Sequence, residues 1–236
     1  LPKDEFIASE TMEMDIDANY YFGVPVEGGT VSYSIMSQDY YFDKYTDEYF
    51  SFGSPWYRCW YECPYGDKFV LSNEMPLAGD GKAKIQEKLD FKKFFPEKSN
   101  SKIFVVNVTV TNPNGQAVSS QKSFIVHAGQ WYLGMQTDKT FLGKNESFEL
   151  RVKSVNTEGK PISVSKINLV INSIKWVSYE RKEVDGSFYH RSEEKREKVI
   201  EKKIQTDGNG NVKESFALKE EGEYEILAGR AGFHDR

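Results

Sequence analysis

What this chain has little of narrows its identity first. It carries two cysteines and three histidines in 236 residues. That excludes a disulfide-built scaffold and a multi-cysteine zinc module. His127, His190 and His234 stand far apart, and none falls at a metal-ligand spacing. No apolar run approaches the roughly 18 residues that a membrane helix needs. Basic residues form no stripe: the net charge is −5 with acids and bases interspersed, which argues against nucleic acid as a partner. There is no Gly-x-Ser-x-Gly elbow, no His-Glu-x-x-His pair and no phosphate-cradling glycine loop before a helix. Carboxylates are plentiful, but abundance without geometry makes no acid/base pair. No catalytic residue, cofactor or metal is therefore expected. With Leu1 as its opening residue and no signal peptide, the chain reads as a piece of a longer protein.

What is present has a period of two. Ala83, Ile85 and Leu89 alternate with Lys82, Lys84 and Lys88, and Phe104, Val106, Val108 and Val110 alternate with Val105, Asn107 and Thr109. Alternation of this kind marks strands with one face in a core and one toward water. Turn residues separate them: Gly28-Gly29, Gly79-Asp80-Gly81, Asn112-Pro113-Asn114-Gly115, Asn156 to Gly159 and Asp207 to Gly210. Short strands with regular turns predict an all-β chain of antiparallel two-sheet sandwiches.

The first half is also written again in the second. Met12-Glu-Met14-Asp-Ile16, Gly23-Val24-Pro25 and Val31-Ser-Tyr33-Ser-Ile35 return as Phe148-Glu-Leu150-Arg-Val152, Gly159-Lys160-Pro161 and Ile167-Asn-Leu169-Val-Ile171, each 136 positions later. One offset held through two strands and their turn predicts a duplicated β-domain. Gly23 and Gly159 are the expected structural turn glycines, and Pro25 and Pro161 fix φ where the next strand begins. The break is expected at His127-Ala128-Gly129-Gln130, giving domains 1–128 and 129–236. Trp131 to Gln136 has no counterpart 136 positions earlier, and Ala117 to Val126 has none later. The first sandwich is thus expected to lack its first strand and the second its last.

Two insertions break the repeat. Residues 40 to 65 hold twelve aromatics, among them Tyr40, Tyr41, Phe42, Tyr45, Phe50, Trp56 and Trp60. Aromatics bury large areas at small entropic cost, so Tyr40, Tyr41, Trp56 and Trp60 are candidate interface residues. The plainer reading is a loop that packs its own rings on the sandwich. Cys59 and Cys63 lie in this loop. Extended, their Cα atoms would be about 13 Å apart; a tight turn would allow a local disulfide, and otherwise they are two thiols among aromatics. The second insertion, 178 to 198, is rich in charge and is expected to be a long hairpin around Asp185-Gly186. Asp207, Asn209 and Asn211 begin a calcium-loop pattern, but Val212 and Leu218 stand where it needs Gly and Glu, so a hairpin turn is the better reading.

Asp17 to Val26, followed by Gly29-Thr30-Val31-Ser32-Tyr33, resembles the start of the third macroglobulin domain of α2-macroglobulins, the bacterial ones in particular. Thr206 to Gly210, followed by Phe216 and Gly222-Glu223-Tyr224, resembles the end of the fourth. The resemblance implies immunoglobulin- or fibronectin-III-like macroglobulin sandwiches. It also implies a framework role in a bacterial, broad-spectrum protease trap that is periplasmic or at the cell surface, in a membrane-anchored parent. Implied partners are neighbouring macroglobulin domains and, through the parent, host or competitor proteases; no membrane contact by this stretch is implied. Neither cysteine matches the family's Cys-Gly-Glu-Gln thioester, since Trp60 follows Cys59 and Pro64 follows Cys63. No long protease-sensitive bait is evident. The rival expectation is an Ig-like repeat of a bacterial adhesin or stalk, with residues 40–65 as its binding tip.

Overall fold

The computed structural model describes residues 1–53, 68–95, 100–182 and 188–229. In chain order the strands are β1 (Glu5–Ile7), β2 (Thr11–Asp17), β3 (Thr30–Asp39), β4 (Ser51–Phe52), β5 (Lys68–Pro76), β6 (Lys82–Lys88), β7 (Lys102–Thr111), β8 (Ala117–His127), β9 (Trp131–Thr137), β10 (Ser147–Asn156), β11 (Ile167–Lys182), β12 (Phe188–Ile204), β13 (Asn211–Ala217) and β14 (Glu223–Gly229). A single helical turn, α1 (Phe91–Phe94), completes the set. The described residues form two units. One runs from Leu1 to Tyr41 and from Lys68 to Gln130; the other takes Phe42 to Gly53 and everything from Trp131 onward. The sequence places the whole aromatic insertion in the first sandwich; Tyr40 and Tyr41 do group with the first unit, but Phe42 to Gly53 group with the second.

In the first unit β1-β8-β7-β3-β5 form a five-stranded sheet and β2-β6 a two-stranded one. All pairings there are antiparallel except β1 with β8, which run parallel through Phe6 and Val126. The period-two reading survives side chain by side chain: Phe104, Val106 and Val108 of β7 and Ile85 of β6 are buried, and their alternates are not. Tyr33 on β3 is buried and donates its hydroxyl to Glu87 Oε1 on β6 at 2.6 Å, tying the two sheets together. Burial, then the adjacent Glu87 carboxylate, pushes its pKa up to about 12. The helical turn was not expected from any apolar stripe. Asp90 makes it, accepting from the Lys92 and Lys93 amides, and so drops Phe91 among Phe95 and Phe104.

In the second unit the sheets are β13-β10-β9-β4 and β12-β11-β14. Leu133, Leu150, Val152, Ile167, Leu169 and Ile171 fill its core. The expected long hairpin is present. β11 pairs with β14 only as far as Ile174, yet continues with β12 to Lys182 opposite Phe188. Asp185-Gly186 lies outside the described residues.

The 136-residue offset extends to individual hydrogen bonds. Lys3 Nζ meets Glu10 Oε2 at 2.7 Å, and Lys139 Nζ meets Glu146 Oε1 at 2.6 Å. The Ile7 and Gly143 amides donate to those same glutamates at 2.9 and 2.8 Å. Ser9 and Asn145 both have positive φ, as do Gly23 and Gly159. Asn19 bridges Pro25, and Val155 bridges Pro161. Side-chain identity has drifted while the backbone plan has been kept, because turns and strand pairing depend on backbone groups.

Candidate functional site

Among the described residues no cluster of His, Cys, Asp or Glu could hold a metal, and no group of ionisable side chains converges as an active site would. His127 is buried with Nε2 3.1 Å from Glu5 Oε2, an internal pairing. Asp207 accepts from the amides of Asn209 and Asn211 at 2.9 and 2.8 Å. Asn112 does the same for Asn114 and Gln116, and Asn156 for Glu158 and Lys160. All three are the same side-chain-braced hairpin turn, so the calcium-like spacing is explained by a turn.

The aromatic insertion is where the molecule departs from a plain repeat. Phe42 stacks on Tyr132 of β9 with centroids 4.1 Å apart and tilts against Phe52 at 5.1 Å. Tyr45 meets both Phe50 and Phe52 edge-on. β4 then pairs antiparallel with β9, Ser51 opposite Met135 and Phe52 opposite Gly134, and occupies the outer edge of that sheet. Gly134 is required here: a Cβ would sit 2.7 Å from the Phe52 ring and 2.8 Å from Phe50 Cβ. Gly159 is required twice over, with φ of +85° and a Cβ position only 2.4 Å from the Lys44 carbonyl oxygen.

Charge frames these rings. Arg151 donates to Glu48 at 2.6 Å and lies 5.4 Å from the Phe50 centroid. Lys153 lies 5.2 Å from the Tyr45 centroid and donates to Asn209 O and Asn211 Oδ1, each at 3.1 Å. The part-exposed Arg151–Glu48 pair contributes at most about 1 kcal/mol. Burying Phe42, which is only 9% exposed, contributes about 1.5–3 kcal/mol. Apolar contact therefore holds the strap, and the charges orient it.

Of the candidate interface aromatics, Tyr40 lies edge-on to His127 in the first unit at 5.9 Å, and Tyr41 is half exposed. Trp56, Trp60, Cys59 and Cys63 lie outside the described residues. Among the described residues, Phe42, Tyr45 and Phe52 form the ring cluster beside β9. The signal that could have found them was Gly134, a glycine inside an apolar strand, which marks the close approach of another chain segment.

Residues 134–233 match the family model described as bacterial macroglobulin domain 6. The chain is similar to bacterial α2-macroglobulins. Over 210 residues it is 25% identical to an alpha-2-macroglobulin homolog of Nostoc sp., covering 89% of this chain and 10% of that protein. The native conformation of Escherichia coli α2-macroglobulin superposes with a TM-score of 0.61 at 12% identity, over 97% of this chain and 15% of that one. The E. coli protein activated by porcine elastase gives the same TM-score and identity, over 96% and 20%. The macroglobulin resemblance and the β-sandwich fold thus hold, with the second unit matching the model of the sixth domain where the sequence motif suggested the fourth. The chain spans a tenth to a fifth of these relatives.

Proposed function

We propose that this chain is a framework segment of a bacterial α2-macroglobulin-like protease trap, acting in the periplasm or outside the cell. The observation that carries the reading is macroglobulin likeness along nearly the whole chain. The E. coli relative exists in a native and an elastase-activated form, so a sandwich of this kind belongs to a molecule that changes on meeting a protease. Well-packed sandwiches suit that role because they move as bodies and do not deform continuously. Its partners are then neighbouring macroglobulin domains and, through them, the captured protease. The adhesin alternative needs residues 40–65 as a free binding tip; in that loop Phe42 and Phe52 lie against β9, while Tyr49 stands open to solvent.

The test uses the full-length protein mixed with a serine protease. Hydrolysis of a large protein substrate should fall while hydrolysis of a small chromogenic peptide persists, and residues 1–236 alone should protect nothing. Equal loss, or no loss, of both activities would overturn the reading.

A further inference from the structure

The three side-chain-braced turns are built alike but differ in chemistry. They run Asn112-Pro113-Asn114-Gly115-Gln116, Asn156-Thr157-Glu158-Gly159-Lys160 and Asp207-Gly208-Asn209-Gly210-Asn211. In each, the glycine has positive φ, at +80°, +85° and +73°, and its amide donates to the main-chain oxygen of the bracing residue at 3.0 Å. The residue before that glycine is Asn114, Glu158 or Asn209. An asparagine followed by glycine is open to attack from its own backbone, because glycine has no Cβ to keep its nitrogen away from the neighbouring side-chain amide carbon.

The two Asn-Gly pairs sit in different surroundings. Asn114 and Gly115 are both exposed, and a Cβ on Gly115 would meet nothing within 4 Å. Gly210 is buried. Its carbonyl accepts from the Ser154 amide of β10 at 2.8 Å, and the Asn209 carbonyl accepts from Lys153 Nζ at 3.1 Å. A Cβ on Gly210 would sit 2.3 Å from the Ser154 carbonyl oxygen. To react, the glycine nitrogen must leave its hydrogen bond and swing onto the asparagine Cγ. At Gly115 this breaks the turn's own bond to Asn112. At Gly210 it also pulls the turn off β10, so the opening costs more.

We propose that Asn114 is a site of spontaneous deamidation, and that packing against β10 protects Asn209. The Gly115 nitrogen gives up its proton and attacks Asn114 Cγ. The N–Cγ bond forms, the Cγ–Nδ2 bond breaks, and the amide nitrogen leaves as ammonia with that proton. Water then opens the resulting succinimide at either carbonyl, giving aspartate or its β-linked isomer. Glu158 shows that this turn position accepts a carboxylate. The β-linked isomer puts an extra methylene into the main chain and disrupts the Gly115–Asn112 bond that closes the β7–β8 hairpin.

The experiment incubates the whole chain at mildly alkaline pH, folded and in concentrated urea. Mass spectrometry with fragmentation that separates aspartate from its β-linked isomer follows the peptides holding Asn114 and Asn209. In the folded chain Asn114 should convert at least about tenfold faster than Asn209, the factor that an extra opening cost of about 1.4 kcal/mol supplies. In urea the two rates should converge, because glycine follows both. Equal rates in the folded chain, or no conversion of Asn114 there, would overturn the site. A rate ratio that survives urea would overturn protection by the fold.

Discussion

Single residues separate conformational need from packing need. Gly23 and Gly159 occupy equivalent turns with φ of +83° and +85°, but Gly23 faces open space while Gly159 abuts the Lys44 backbone. Gly23→Ala should cost about 1 kcal/mol for left-handed backbone. Gly159→Ala should cost at least about 1 kcal/mol more, for the clash, as read from denaturant midpoints. Ionisable residues predict pH windows. The Lys3 partner and the Ile7 amide hold the Glu10 carboxyl below its ordinary value of 4.5, and Lys139 and the Gly143 amide do the same for Glu146. Both contribute stability that is present above the unfolded-state value and is lost as pH falls through the lowered folded ones. The double change Glu10→Gln and Glu146→Gln should therefore flatten the acid limb of a stability–pH curve. At the other extreme, Tyr33 is held neutral up to about 12 against an ordinary 10. Its contribution is complete below pH 10 and is lost as pH rises from 10 through about 12; Tyr33→Phe should remove that decline.

At the scale of elements, the decisive piece is the strap from Phe42 to Phe52. Phe42→Ala should destabilise the second unit by about 3 kcal/mol, although residue 42 lies in the first repeat by sequence. Peptide-level amide exchange would show faster opening in β9 and β10, with β3 and β7 unchanged. Much of the rest was legible without coordinates. The strands of both repeats stood out because one-sided burial imposes a period of two, and the offset exposed the duplication because turns such as Asn156 to Gly159 reuse one backbone geometry. The strap was not legible: proximity in sequence assigns it to the first sandwich, while its partner is chosen by ring stacking on Tyr132 and the gap at Gly134, contacts over 80 positions away. Nor was α1, since one capped turn leaves no periodic trace. Of the candidate aromatics, Tyr40 packs edge-on to His127, while Phe42, Tyr45 and Phe52 form the ring cluster of the strap. Nothing in composition distinguishes neighbouring rings.

For the whole molecule, the proposed framework role rests on two copies of one sandwich plan. Each copy has its own core, so Tyr33→Asp should unfold the first unit and Leu169→Asp the second. The central claim is that the second copy is completed by a segment borrowed from within the first. Amide exchange of residues 1–236 through a denaturant series tests it most directly, because cooperative units reveal themselves as groups of amides that open together. The account predicts that amides of Phe42 to Phe52 share the opening transition of β9, β10 and β13. Opening of that segment together with β3, β5 and β7, or ahead of both units, would contradict it.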